Sequence, residues 1–169
     1  MTKVGLAASI APFDEKGTKG MVEDRDLKAI FKLAHVKWLA SAMGKVEATH
    51  YRKDLHGFVA HCSKEWPSDK VIFTDPVLEP MFEAEFDAAF AQGGVGALDD
   101  MWGFLDWGFA PEDVDQHVEL YVGDADDILD PAMSKRLSER LPDCTLHTWP
   151  GAGHYGVYGR WPEFLTAIV

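Results

Sequence analysis

A chain of 169 residues with 47% hydrophobic content, six tryptophans and ten phenylalanines is long and apolar enough to fold around its own core, which excludes a disordered segment. Its formal charge of -12 and the lack of any Lys/Arg cluster exclude a surface built for nucleic acid or an anionic membrane, and leave small molecules as the expected partners. Two cysteines, Cys62 and Cys144, lie far apart without C-x-x-C spacing, so reduced thiols, a cytoplasmic location and neither metal nor other cofactor are expected.

The N-terminus MTKVGLAASIAPFDEKG has an apolar run too short for a membrane span and poorly shaped for a signal peptide. Within it KVGLAASIA, residues 3–11, is apolar throughout with no polar alternation and ends at Pro12. That pattern suits a strand buried on both faces, as parallel strands are. From about Glu23 to Trp107 the pattern becomes helical. Leu27, Ile30, Phe31, Ala34, Trp38 and Leu39 are spaced along one face, with Asp24 or Asp26 as N-cap. A second helix is expected within Tyr51–Ser63 and a third within Pro76–Gln92, followed by a helix C-cap and turn at the GGVG of Gly93–Gly96. The region 23–105 therefore reads as a helical insert in a frame made of residues 1–22 and 106–169.

The last part alternates HVELYVG, PAMSKRLSERL, CTLHTWP and RWPEFLTAIV, the rhythm of parallel strands joined by crossover helices. With the first run this gives an α/β fold with about three parallel strands, at 3–11, 116–122 and 144–149. The strand HVELYVG empties into DADDILDP, and CTLHTWP empties into GAGHYG, where His154 stands between glycines on a bare loop. Ligands and catalytic groups gather beyond the carboxyl ends of such strands, so an acid from the first loop and the imidazole from the second are expected to meet. Asp126 and His154 are that pair: an acid on one ring nitrogen fixes the tautomer and leaves the other nitrogen as a general base. Asp130, just before Pro131, reads as the N-cap of the next helix. The loop lacks the alternation and central glycine of a calcium site. The other histidines, at 35, 50, 56, 61, 117 and 147, show no metal-ligand spacing and suit packing or surface roles.

Through G-D-A-D-D-I-L-D-P as acid loop and G-A-G-H as histidine loop, with a closing helix of the PEFLTAIV kind, the sequence resembles the α/β-hydrolases over nearly the whole chain. The resemblance implies Asp126 as triad acid and His154 as triad base, with Asp124 and Asp127 as alternative acids. It also implies that the helical insert is a cap, lying between the sixth and seventh strands of the family. The nucleophile elbow of that family, G-x-S-x-G, is absent from these 169 residues. Ser41 in LASAMGK and Cys62 in VAHCSKE follow helical pattern and make poor substitutes.

The expectation is thus the C-terminal part of a serine hydrolase of esters or related small carboxylic substrates, beginning at the sixth strand and inactive by itself. The alternative is a noncatalytic remnant that binds a ligand or partner through the cap. An exposed edge on the first strand leads to possible self-association.

Overall fold

The computed structural model describes residues 3–13, 17–33 and 36–169. They form two compact units, Met1–Asp24 with Asp106–Val169, and Arg25–Leu105.

The first unit is built on three parallel strands in the order β1 (Val4–Ala7), β2 (Val118–Gly123) and β3 (Cys144–Trp149). Val4 lies opposite Val118 and Val118 opposite Cys144, so the three strands start level. Every residue of β2 is buried, as the central strand of a sheet covered on both faces must be. Tyr121 and Trp149 pack with Phe164 of the closing helix α8 (Trp161–Ala167) on one face. The alternate residues Val118, Leu120 and Val122 are buried too, and helix α7 (Pro131–Arg140), with Met133 and Leu137 fully buried, packs on β2 and β3.

The first strand is shorter than the apolar run predicts and is half-buried. Ala8 takes a positive φ of 49°, outside the strand region, and ends β1 four residues after it begins. β1 occupies one edge of the sheet and carries no charge, which makes it a template for a further strand. The purified chain is expected to self-associate through this edge, eluting above monomer size in chromatography with light scattering. A monomer at every concentration would count against it.

A charged residue sits in the middle of this sheet. Glu119 on β2 is 8% exposed, and its carboxylate meets His147 Nε2 at 2.8 Å, His117 Nε2 at 3.2 Å and Lys3 Nζ at 3.4 Å. His117 also reaches Asp143 through Nδ1 at 2.8 Å. The hydrogen bond from His147 holds the Glu119 carboxyl below its ordinary range, against the desolvation that opposes it. The hydrogen bond to Asp143 raises His117, with Glu119 adding to the effect.

Glu119 therefore stabilises the fold above its unfolded pKa, and that contribution disappears as pH falls through its lowered native value. His117 contributes fully below its unfolded value of 6.5, and that part disappears as pH rises through the raised one. Urea melts should accordingly show stability declining as pH rises above 6.5, and His117→Gln should flatten that decline. An unchanged slope in the variant would remove His117 as its cause.

The second unit is helical: α1 (Arg25–Leu33), α2 (Lys37–Tyr51), α3 (Leu55–Glu65), α4 (Lys70–Phe73), α5 (Leu78–Phe90) and α6 (Val95–Leu105). Asp54 caps α3 by accepting from the Gly57 amide at 2.8 Å. Val59, Cys62, Phe73 and Phe82 form its fully buried interior, flanked by ring contacts among Tyr51, Phe58, Phe86 and Phe90. Gly94, at φ 75°, comes so close to the Gly44 carbonyl of α2 that a Cβ would lie 2.9 Å from its oxygen, so the GGVG run is a turn and a backbone contact.

The continuous apolar face predicted from Leu27 to Leu39 is corrected, because Val36, at φ −113° and ψ 73°, is not helical and a new helix, α2, starts at Lys37. Trp38 falls outside the core at 74% exposed, and Ala34 lies outside the described residues. Among the described residues no helix is long and apolar enough to cross a membrane.

Candidate active site

Gly123 at the end of β2 pairs in register with Trp149 at the end of β3, so the two following loops leave the sheet side by side. Asp126 stands on the first and His154 on the second. Asp126 Oδ2 lies 2.9 Å from His154 Nδ1. The Asp126 side chain is 1% exposed and that of His154 23%. Asp126 Oδ1 accepts from the amides of both Ile128 and Leu129 at 2.8 Å, so the loop backbone holds the carboxylate independently of the histidine. With Nδ1–H donating to this carboxylate, His154 is left with an Nε2 lone pair, the arrangement of a general base. The ring of Tyr155 meets the imidazole edge-on, centroids 5.4 Å apart.

The histidine loop begins with a tight turn. The Ala152 amide donates to the Trp149 carbonyl at 3.2 Å across Pro150 and Gly151, and Gly151 has φ 67°. Proline second and a positive-φ glycine third are what a type II turn requires. Two backbone bonds tie this turn to the acid loop, Asp124 N to Trp149 O at 3.3 Å and Ala125 N to Ala152 O at 3.0 Å. The Asp124 carboxylate adds a third link, accepting from the Gly151 amide at 2.6 Å. Gly123 allows the loops to come this close: a Cβ there would fall 2.1 Å from the Ala152 carbonyl oxygen.

The acid loop is held from its other side as well. Val22 forms an antiparallel bridge to Leu129, the Glu23 amide donates to Ile128 O at 2.7 Å, and the Asp130 amide donates to Met21 O at 2.7 Å. Asp130 caps α7 as predicted, accepting from the Ala132 amide at 2.8 Å. The contact with residues 21–24 has no local signature in the sequence, since bridge partners a hundred residues apart leave no periodic pattern.

Of the three aspartates, Asp126 is the one in contact with His154. Asp124 is exposed and engaged with Gly151, and Asp127 is half-exposed. Ser41 sits in the middle of α2 and Cys62 is buried in α3, so neither stands on a strand-to-helix elbow.

The one group of metal-ligating atoms among the described residues is His56 of α3 with Glu79 and Glu83 of α5, all within 4.8 Å of one another. His56 spacing gave no hint of it, because its partners are an i, i+4 pair on another helix. His56 Nδ1 lies 3.0 Å from Glu83 and 3.3 Å from Glu79, and the hydrogen bond to Glu83 raises the exposed ring above its ordinary value. That mutual ion pairing accounts for the cluster.

No family model and no curated protein sequence matches the chain. Solved structures do. A thermophilic esterase from Thermogutta terrifontis superposes with a TM-score of 0.58 at 16% identity, covering 98% of this chain and 53% of the esterase. The meta-cleavage product hydrolase of Pseudomonas fluorescens gives 0.54 at 13% identity, with 99% and 54% covered. An α/β-hydrolase from a Medee basin deep-sea metagenome library gives 0.52 at 15% identity, again with 99% and 54%. The chain thus spans about half the length of the structures it matches, and over that span it has the α/β-hydrolase fold.

Proposed function

We propose that this chain supplies the acid and base of a hydrolase acting on esters or related small carboxylic compounds, with Asp126 orienting His154 and His154 Nε2 moving the proton. The observation that carries the reading is the 2.9 Å contact between Nδ1 and a carboxylate whose second oxygen two backbone amides already hold. In such a reaction Nε2 takes the proton of an attacking hydroxyl as that oxygen bonds to the acyl carbon, then returns it to the leaving alcohol as the ester bond breaks. A water repeats the cycle to release the acid. The attacking hydroxyl and the donors for the oxyanion are not supplied by any elbow in these 169 residues, so they belong to another segment. Neither Cys62 nor Cys144 is in a disulfide, which fits a cytoplasmic location as part of the same reading.

The test begins with the genomic sequence upstream of Met1. An in-frame G-x-S-x-G some tens of codons earlier is expected, and the extended protein should hydrolyse p-nitrophenyl acetate and take a fluorophosphonate label. The 169-residue chain alone should do neither. Stop codons throughout the upstream frame, or an extended protein without esterase activity, would favour a noncatalytic module that binds ligand through its helical unit.

A further inference from the structure

We propose that Asp124, which takes no part in the acid–base pair, is the positioning residue that holds His154 against Asp126. The inference rests on reading Asp126 and His154 as that pair. In the loop, Ala152 and Val157 pack on the core, but each of Gly151, Gly153 and Gly156 adds conformations that the loop must lose to present one imidazole geometry.

What holds it is the seam to the acid loop. Two of its links are backbone bonds of ordinary length, at 3.3 and 3.0 Å. The third is the Asp124 carboxylate on the Gly151 amide at 2.6 Å, a short bond to an ionisable acceptor, of the stronger kind. The turn explains why this amide needs a side chain. In a type II turn only the amide after the glycine closes the turn, here Ala152 to Trp149, so the Gly151 N–H projects outward without an intraturn acceptor. Asp124 sits one residue beyond β2 and two before Asp126. The same three-residue step therefore fixes the carboxylate that receives the imidazole and the carboxylate that anchors the loop bearing it. His154 is three residues past the anchored amide, close enough for a change there to swing the ring.

Ring ¹⁵N spectra of the histidine-labelled 169-residue chain, in mildly alkaline buffer, test this without depending on turnover. The wild-type His154 ring should show one protonated nitrogen, Nδ1, well separated in shift from Nε2. Asp124→Ala should reduce that separation by about half as the ring loses its single tautomer and orientation, while the backbone amides of β2 and β3 keep their shifts. Asp124→Asn, which retains an oxygen acceptor for Gly151, should restore the wild-type ring spectrum.

An unchanged ring spectrum in Asp124→Ala would overturn the proposal, as would an Asn variant that behaves like Ala. A general loss of dispersed amides in Asp124→Ala would also overturn it, making Asp124 a residue of overall stability. Failure of the underlying pair reads differently: Asp126→Asn would then leave the His154 ring spectrum unmoved.

Discussion

Gly123→Ala is expected to destabilise the first unit by about 3 kcal/mol, with its melting temperature lower by roughly 12–24 °C, although the substitution adds a single methyl group. The backbone φ of Gly123 is not in the left-handed region, so conformational freedom is not the reason. The reason is space. The added carbon would lie 2.1 Å from the Ala152 carbonyl oxygen and 2.6 Å from both the Ala152 carbonyl carbon and the Gly153 oxygen. All three are backbone atoms, so no side-chain rotation relieves the clash, and the histidine loop must move away from the acid loop. Such a shift breaks the Ala125–Ala152 and Asp124–Gly151 bonds together and carries His154 off Asp126. Thermal unfolding by circular dichroism measures the first effect and the His154 ring spectrum the second. Gly20, where a Cβ would meet nothing within 4 Å, is the control, and Gly20→Ala should change the melting temperature by far less. Equal effects at the two glycines would show that the close approach at Gly123 is not what sets the loop spacing.

The elements that carry the site were legible because their sequence signals are local. HVELYVG and CTLHTWP are short β-rich runs followed by turn residues, and both are strands that end at Gly123 and Trp149. Pro150-Gly151 announces its turn, and Asp130-Pro131 announces the start of α7.

Where the reading went wrong, the deciding physics was not local. Nothing in KVGLAASIA marks Ala8 as the residue that takes a positive φ, so the run looked nine residues long and the strand has four. The apolar face through Trp38 assumed one unbroken helix. Once Val36 leaves the helical conformation and a new helix starts at Lys37 the phase is reset, and a position extrapolated from Leu27 no longer faces inward.

The register of the acid shows the same division. Three aspartates in four residues are chemically alike in the sequence. They are told apart by what surrounds them: the amides of Ile128 and Leu129 collect Asp126, and the Gly151 amide collects Asp124. The bridge from Val22 to Leu129 then pins the loop from a segment more than a hundred residues away. Glu119 followed the same rule. A lone acid in an apolar strand signals conflict until His147 and Lys3 arrive from distant parts of the chain to join His117, two residues away on the same run.

In a protein that joins these residues to a serine elbow, His154→Ala should lower kcat for p-nitrophenyl esters by on the order of 10³–10⁴-fold or more, because it removes the imidazole that Asp126 orients. Asp126→Asn should approach the same loss by a different route. Its amide oxygen can still accept from Ile128 and Leu129, so the loop keeps its shape, but its NH₂ then faces Nδ1 and forces the proton onto Nε2, where the lone pair is needed. Asp126→Ala adds a structural cost of about 1–3 kcal/mol, since it leaves buried amides without an acceptor. The pair of substitutions at one position therefore separates tautomer control from loop support: Asn should lose rate with little change in melting temperature, and Ala should lose both. Asp127→Asn should stay within about threefold of wild type, as expected for a substitution outside the reacting unit. If Asp127→Asn were the more damaging change, the acid would be Asp127 and the 2.9 Å contact would not be the catalytic one. If His154→Ala kept full activity, the hydrolysis would be taking place elsewhere, and the two loops at the ends of β2 and β3 would have only a structural role.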